Sequence, residues 1–192
     1  MRKRPAVRNV VEYSLALAAL KSLEWTPLPL ARRVASGYAR LLDLALPRLR
    51  RSALRNLSWA MPELSSAGRS AIVDGVFRSI GRVLLGFARL PSIQRGNLDR
   101  WIRCEGGEYF EEALRRGRGV LFATAHLGNW ELSAFAHALF QGPINVVVRP
   151  LDNPLIDRLV ERRRGLTGNQ PIFKQDSART ILKLWPQPAT RP

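Results

Sequence analysis

A chain of 192 residues, 46% of them hydrophobic, is long and apolar enough to bury a core, which excludes a disordered chain. Its formal charge of +16 comes from 31 basic against 15 acidic residues, all of the basic ones arginine except Lys3, Lys21, Lys174 and Lys183. Such an excess attracts anionic partners, whether nucleic acid, lipid headgroups, phosphorylated glycolipids or an acidic carrier protein. Cys104 is the only cysteine, which excludes an internal disulfide framework and a cysteine-built metal cluster and fits a reducing compartment. Neither a metal nor a cofactor is expected.

The chain opens on a basic run, Met1 to Arg4, followed by an apolar stretch from Val10 to Leu20. Glu12 and Lys21 bracket only Tyr13 to Leu20 as uncharged, far short of the ~20 apolar residues that cross a bilayer. No small-residue cleavage site follows, so a signal peptide is not expected either. The segment suits a helix that lies in a membrane interface or packs into the protein's own core.

From Val10 to about Leu90 the apolar spacing is helical. Pro27 and Pro29 end the first helix, Pro47 interrupts the second, and Pro62 and Pro91 frame a third helical region. There Ile72, Val76, Phe77, Ile80, Val83, Leu84 and Phe87 recur at helical steps and predict a buried face. Arg32, Arg33, Arg40, Arg48, Arg50, Arg51 and Arg55 lie beside apolar runs, a pattern shared by surfaces that meet anionic headgroups and by solvated helical faces.

After Gly96 short apolar runs alternate with helical segments, the pattern of an α/β layer with a largely parallel sheet. Gly119 to Ala125 reads as a buried strand, Trp130 to Phe140 as a helix, Ile144 to Val148 as a strand, Leu155 to Arg164 as a helix and Pro171 to Lys174 as a short strand. The expected fold class is α/β, a helical layer followed by a largely parallel sheet flanked by helices. Its regions are 1–95, helical and membrane-associating, 96–185, the first part of an α/β domain, and 186–192, a proline-rich tail.

The segment richest in chemistry runs from Leu121 to Glu131. It sets His126 at the carboxyl end of the expected strand, where open α/β sheets bind ligands, then a turn at Gly128. Asn129 follows as N-cap and Glu131 in the first helical turn. A short turn folds the helix start back so that the Glu131 carboxylate reaches one ring nitrogen of His126. In that dyad the acid fixes the tautomer and stabilises the imidazolium formed when His126 takes a proton from an acceptor hydroxyl. The helix N-terminus favours ionised Glu131, and backbone amides near Leu127 to Asn129 are candidates to stabilise an oxyanion. A structural His–Glu pair is the commoner outcome of such spacing.

The run Ala125-His126-Leu127-Gly128-Asn129-Trp130-Glu131, followed by Val148 to Asp157 with its Arg-Pro-x-x-Asn block, resembles the bacterial lipid A biosynthesis acyltransferases within the lysophospholipid acyltransferase superfamily. Upstream, Asn56 to Glu63 is similar to that family's Asn-Leu…Pro-Glu signature, and the likeness covers about Val10 to Leu184. The resemblance implies a His-x4-acid acyltransferase fold. It also implies transfer of a fatty acyl group from an acyl carrier protein or coenzyme A thioester to a hydroxyl of a membrane glycolipid, a lipid A precursor, at the cytoplasmic face of the inner membrane. It makes His126 the general base and Glu131 its partner, with attachment to anionic membrane lipid peripheral or through the N-terminus. Gly128, Asn129 and Arg149 become candidate substrate-binding residues, Arg149 because a guanidinium fork suits a phosphate or a thioester carbonyl. A strand-end ion pair explains Arg149 as well, and Asn153 with Pro154 is accounted for by helix initiation. Arg162, Arg163 and Arg164 suit a helix C-terminus, and His137 is read as packing.

Against the resemblance, Pro186, Pro188 and Pro192 crowd a tail where a further core strand is expected. The expectation is therefore an acyltransferase chain truncated at its C-terminus, with its last strands missing and its activity lost. Nucleic-acid binding, the charge-based alternative, ranks lower because no helix-turn-helix, zinc or aromatic-basic sheet pattern is present. A serine hydrolase lacks its Gly-x-Ser-x-Gly elbow.

Overall fold

The computed structural model describes residues 5–185, so the proline-rich tail at 186–192 lies outside the described residues. The described chain is mostly helical. Its helices are α1 (Ala6–Trp25), α2 (Leu28–Ala45), α3 (Pro47–Ala60), α4 (Ser66–Arg89), α5 (Gly107–Arg115), α6 (Trp130–Phe140), α7 (Pro154–Arg164) and α8 (Ser177–Leu184), and its strands are β1 (Asn145–Val148) and β2 (Gln170–Phe173). They form two compact units, one from Ser14 to Leu90 and the other from the first residues through Tyr13 together with Pro91 onward. Among the described residues no helix is long and apolar enough to cross a membrane, as the short uncharged stretch before Lys21 implies.

In the unit from Ser14 to Leu90 the prolines act as punctuation. Pro27 caps α2, and Pro47 opens α3 where a missing N–H costs nothing. The Ser65 hydroxyl caps α4, accepting the Gly68 N–H at 3.1 Å. α2 presents Ala31, Ala35 and Ala39 at four-residue steps, and all three are buried. Facing them, α4 buries Val73, Phe77, Gly81, Leu85 and Ala88. The helices come so close that a Cβ on Gly81 would stand 3.0 Å from the Ala35 carbonyl oxygen and 3.3 Å from the Ala39 Cβ.

This arrangement corrects the face expected for α4. Phe77 is buried as expected and Val83, Leu84 and Phe87 are half-buried, but Ile72, Val76 and Ile80 are exposed, and the buried row runs instead through Val73, Phe77 and Gly81. The alanine row of α2 selects the face, because it lets two backbones approach at Gly81 while Phe77 and Leu85 pack on either side along the same stripe.

Paired glycine substitutions test that packing. Gly81→Ala gains helix propensity of up to ~1 kcal/mol but meets backbone, and overpacking of ~1–3 kcal/mol outweighs the gain, so melting falls by several degrees. Gly37→Ala, in α2 with nothing within 4 Å of its added Cβ, is expected to raise the melting temperature. Calorimetry of the two variants checks both signs.

Arg50 ties the α2–α3 joint to α4. Its guanidinium donates to both Asp43 oxygens at 2.8 and 2.7 Å and to Asp74 at 2.6 Å, and lies over the Phe77 ring. These bonds hold the Asp43 carboxyl below its ordinary pKa.

The unit containing Pro91 onward is built around Ile93, Leu98, Leu132, Phe135, Ala136 and Ile172. β1 and β2 pair in parallel, Asn145 opposite Gln170 and Val148 opposite Phe173, with α7 as the crossover. Buried Asn169 locks the layer: its amide oxygen accepts the Ile144 N–H at 2.9 Å and its amide nitrogen donates to the Ala134 carbonyl of α6 at 3.0 Å. Arg95 caps the far end of α6, donating to the Leu139 and Phe140 carbonyls at 2.9 Å each. Asn153 caps α7 by accepting the Leu155 and Ile156 amides, and its own amide nitrogen reaches the Asn9 carbonyl and the Glu12 carboxylate in the first turns of α1.

The expected strand Gly119 to Ala125 is not formed, and this narrows the expected sheet to two strands among the described residues. The apolar run Leu121, Phe122 is exposed, Leu121 to 75%. A strand exists only where a neighbour offers its amides and carbonyls, and β1 and β2 pair with each other.

Candidate functional site

The irregular run from Gly119 enters the site through its aromatic residue. Phe122 stacks on Phe110 of α5 with centroids 5.6 Å apart, and His137 of α6 meets both rings edge-on at 4.8 and 4.9 Å. His137 is thus a packing residue, as expected. Burial holds its pKa below the ordinary 6.5. The unfolded chain then binds this proton more readily than the folded one, so stability is lost as pH falls from about 6.5 towards the lower folded value. Thermal melts from pH 8 to 5 should show that decline, and His137→Phe should flatten it, relative to the same melts of the parent.

Four residues on, the backbone turns sharply. His126 adopts φ 53° and Gly128 φ 74°, both left-handed, and His126 is the sole described residue other than glycine with positive φ. The Thr124 hydroxyl stabilises the turn by accepting the His126 N–H at 3.2 Å. A left-handed conformation costs a non-glycine residue roughly 1–2 kcal/mol, and such strain gathers at functional sites. It exposes the imidazole and sets its ring against Trp130 with centroids 5.2 Å apart. The Leu127 and Gly128 amides are exposed and, among the described residues, donate to no protein acceptor. Asn129 caps α6, its side chain accepting the Leu132 N–H at 3.1 Å, and so aims Trp130 and Glu131 back at the turn.

The Glu131 carboxylate does not bond His126 in this structure. Arg164 of α7 grips both of its oxygens, donating from Nε to Oε2 at 2.9 Å and from its terminal nitrogen to Oε1, and the Trp130 indole N–H adds a bond to Oε1 at 3.2 Å. The pair is largely sheltered, and the bond to Glu131 raises the Arg164 pKa. Imidazole and carboxylate therefore meet the same indole instead of each other. The physical reason is competition: a guanidinium fork satisfies two carboxylate oxygens at once, which a ring nitrogen cannot.

Arg164 was expected only as a helix-end cation; only the fold, bringing the end of α7 beside the start of α6, makes it a partner of Glu131. Arg163 is buried and Arg162 exposed. Arg149 is exposed just beyond β1, 3.5 Å from Asp152, so it stands apart from the cluster around Trp130 in its contacts.

The family model described as bacterial lipid A biosynthesis acyltransferase matches residues 1–185. A lipid A biosynthesis acyltransferase of Haemophilus influenzae is 29% identical over 173 residues, covering 88% of this chain and 54% of the relative. A lipid A biosynthesis lauroyltransferase of Escherichia coli is 28% identical over 169 residues, 88% of this chain and 55% of the relative. A myristoyltransferase of the same organism is 27% identical, 88% and 52% covered. The chain thus spans about half the length of the relatives it matches. With the family model matched from the first residue through Trp185, the chain belongs to the bacterial lipid A biosynthesis acyltransferase family.

Proposed function

We propose that this chain transfers a fatty acyl group from a thioester, carried by acyl carrier protein or coenzyme A, to a hydroxyl of a lipid A precursor, with His126 as general base. The observation that carries the reading is the strained, exposed His126 on a turn with two open amides, in a family whose named members include lauroyl- and myristoyltransferases. His126 takes the proton from the acceptor hydroxyl as its oxygen attacks the thioester carbonyl. The Leu127 and Gly128 amides stabilise the resulting oxyanion, the C–S bond breaks, and the thiolate leaves and receives the proton from the imidazolium. Glu131, held at the start of α6 by its bonds to Arg164 and the Trp130 indole, favours the imidazolium through its negative charge. Arg149 is assigned to substrate phosphate. The enzyme works at the cytoplasmic face of the inner membrane, attached peripherally by its N-terminal helices.

Incubating the chain with acyl thioester and phosphorylated glycolipid precursor in mixed micelles should yield product heavier by one acyl group less the displaced hydrogen, read by mass spectrometry. A second reading, a family member that binds without turnover, is favoured by the exposed apolar side chains of Leu121 and Leu127 beside the turn. Binding of precursor with no mass gain would establish it and exclude catalysis.

A further inference from the structure

α3 divides its arginines between two faces. Arg50 points inward and is neutralised by Asp43 and Asp74, whereas Arg48, Arg51 and Arg55 are exposed and line, with Ser52, an open concavity of about 300 Å³. The steps 48, 51, 52, 55 and 59 follow one face of a helix, and Trp59 on that face is 75% exposed. α3 holds no carboxylate, and among the described residues none pairs with these three arginines. Three arginines on one helix face, with no carboxylate paired to them among the described residues, repel one another, and an anion in the hollow they line relieves the repulsion. Guanidinium forks match phosphate oxygens bidentately, and the Ser52 hydroxyl adds a donor. Trp59 and neighbouring exposed Leu49 give the hollow an apolar margin of the kind that seats in the headgroup layer of a membrane.

We propose that the outer face of α3 is a binding site for lipid phosphate, formed by Arg48, Arg51, Ser52 and Arg55, with Trp59 entering the membrane interface beside it. The site shares no residue with the turn at His126, and its occupation needs no acyl transfer. Its occupant is a headgroup bearing a phosphomonoester.

Sedimentation of the full chain with phosphatidylcholine vesicles, with or without added phosphatidic acid, tests it at physiological salt. The triple variant Arg48→Gln, Arg51→Gln, Arg55→Gln should bind the phosphatidic acid vesicles on the order of a hundredfold less well, about fivefold per arginine. The variant Arg103→Gln, Arg115→Gln, Arg118→Gln removes the same charge from other exposed positions and should bind within a few-fold of the parent. Titration with inorganic phosphate distinguishes the source: saturable binding lost in the first variant, with no preference for phosphatidic acid vesicles, assigns the site to free phosphate and overturns the lipid assignment. Equal losses in the two triple variants would reduce the site to net charge and overturn it. So would retention on duplex DNA that the first variant loses while its vesicle binding stays unchanged. Circular dichroism of each variant confirms folding, which exposed arginines leave intact.

Discussion

Replacing His126 by alanine is expected to remove about 10²- to 10⁴-fold of the acyl transfer rate, the usual contribution of a positioned general base. Melting temperature should barely move. The side chain is exposed, and among the described residues its one ring contact is with Trp130. A folded variant with slow turnover and near-normal precursor binding identifies His126 as the base, because a residue that merely shaped the turn would disturb binding as well. His126→Gly separates the turn from the ring: glycine accepts φ 53° without strain, so this variant should be at least as well folded as the alanine one and equally slow. Near-normal turnover in either variant would remove His126 from the mechanism.

Glu131→Gln carries the second large effect, on two readouts. The amide cannot neutralise Arg164, and leaving one partner of a sheltered ion pair without its counter-charge should cost on the order of 1–3 kcal/mol of stability. Transfer should fall steeply too, since the imidazolium at His126 loses its nearby negative charge. Arg164→Met separates the roles. If Glu131 serves only to hold α6 against α7, the double variant Glu131→Gln, Arg164→Met recovers stability and transfer together. If the carboxylate supports His126, stability recovers and transfer does not. Loss of transfer in Arg164→Met alone should be the milder, because the Glu131 carboxylate is retained and, released from the guanidinium, can turn towards the imidazole.

Local signals made much of the architecture legible. Prolines at 27, 29 and 47 placed the helix breaks because a ring without an N–H acts within one turn of chain. α6 spans Trp130–Phe140 as read, and Asn129 and Asn153 cap their helices, since a cap is chemistry between residues two or three apart. The strands at 145–148 and 170–173 were visible as short apolar runs.

What was hidden depends on partners distant in sequence. Gly119 to Ala125 has the composition of a strand, yet a ladder needs a neighbour, and hydropathy carries no information about one. The buried row of α4 keeps the expected Phe77 but leaves Ile72, Val76 and Ile80 outside, because alanines on another helix draw Gly81 inward. The site was half visible. The His126 turn announced itself through Gly128 and the following cap, whereas the pairing of Glu131 with Arg164 joins residues that only the packing of α6 and α7 brings together.

If His126 acts as the base in acylation of a lipid A precursor, the lipid itself carries the record. Lipid A is extracted from cells whose own copy of this gene carries His126→Ala and compared by mass spectrometry with lipid A from the unaltered strain. The variant strain should lack the more highly acylated species and accumulate one lighter by a single fatty acyl group, with the protein present at its usual level. An unchanged lipid A profile at that level would contradict that role.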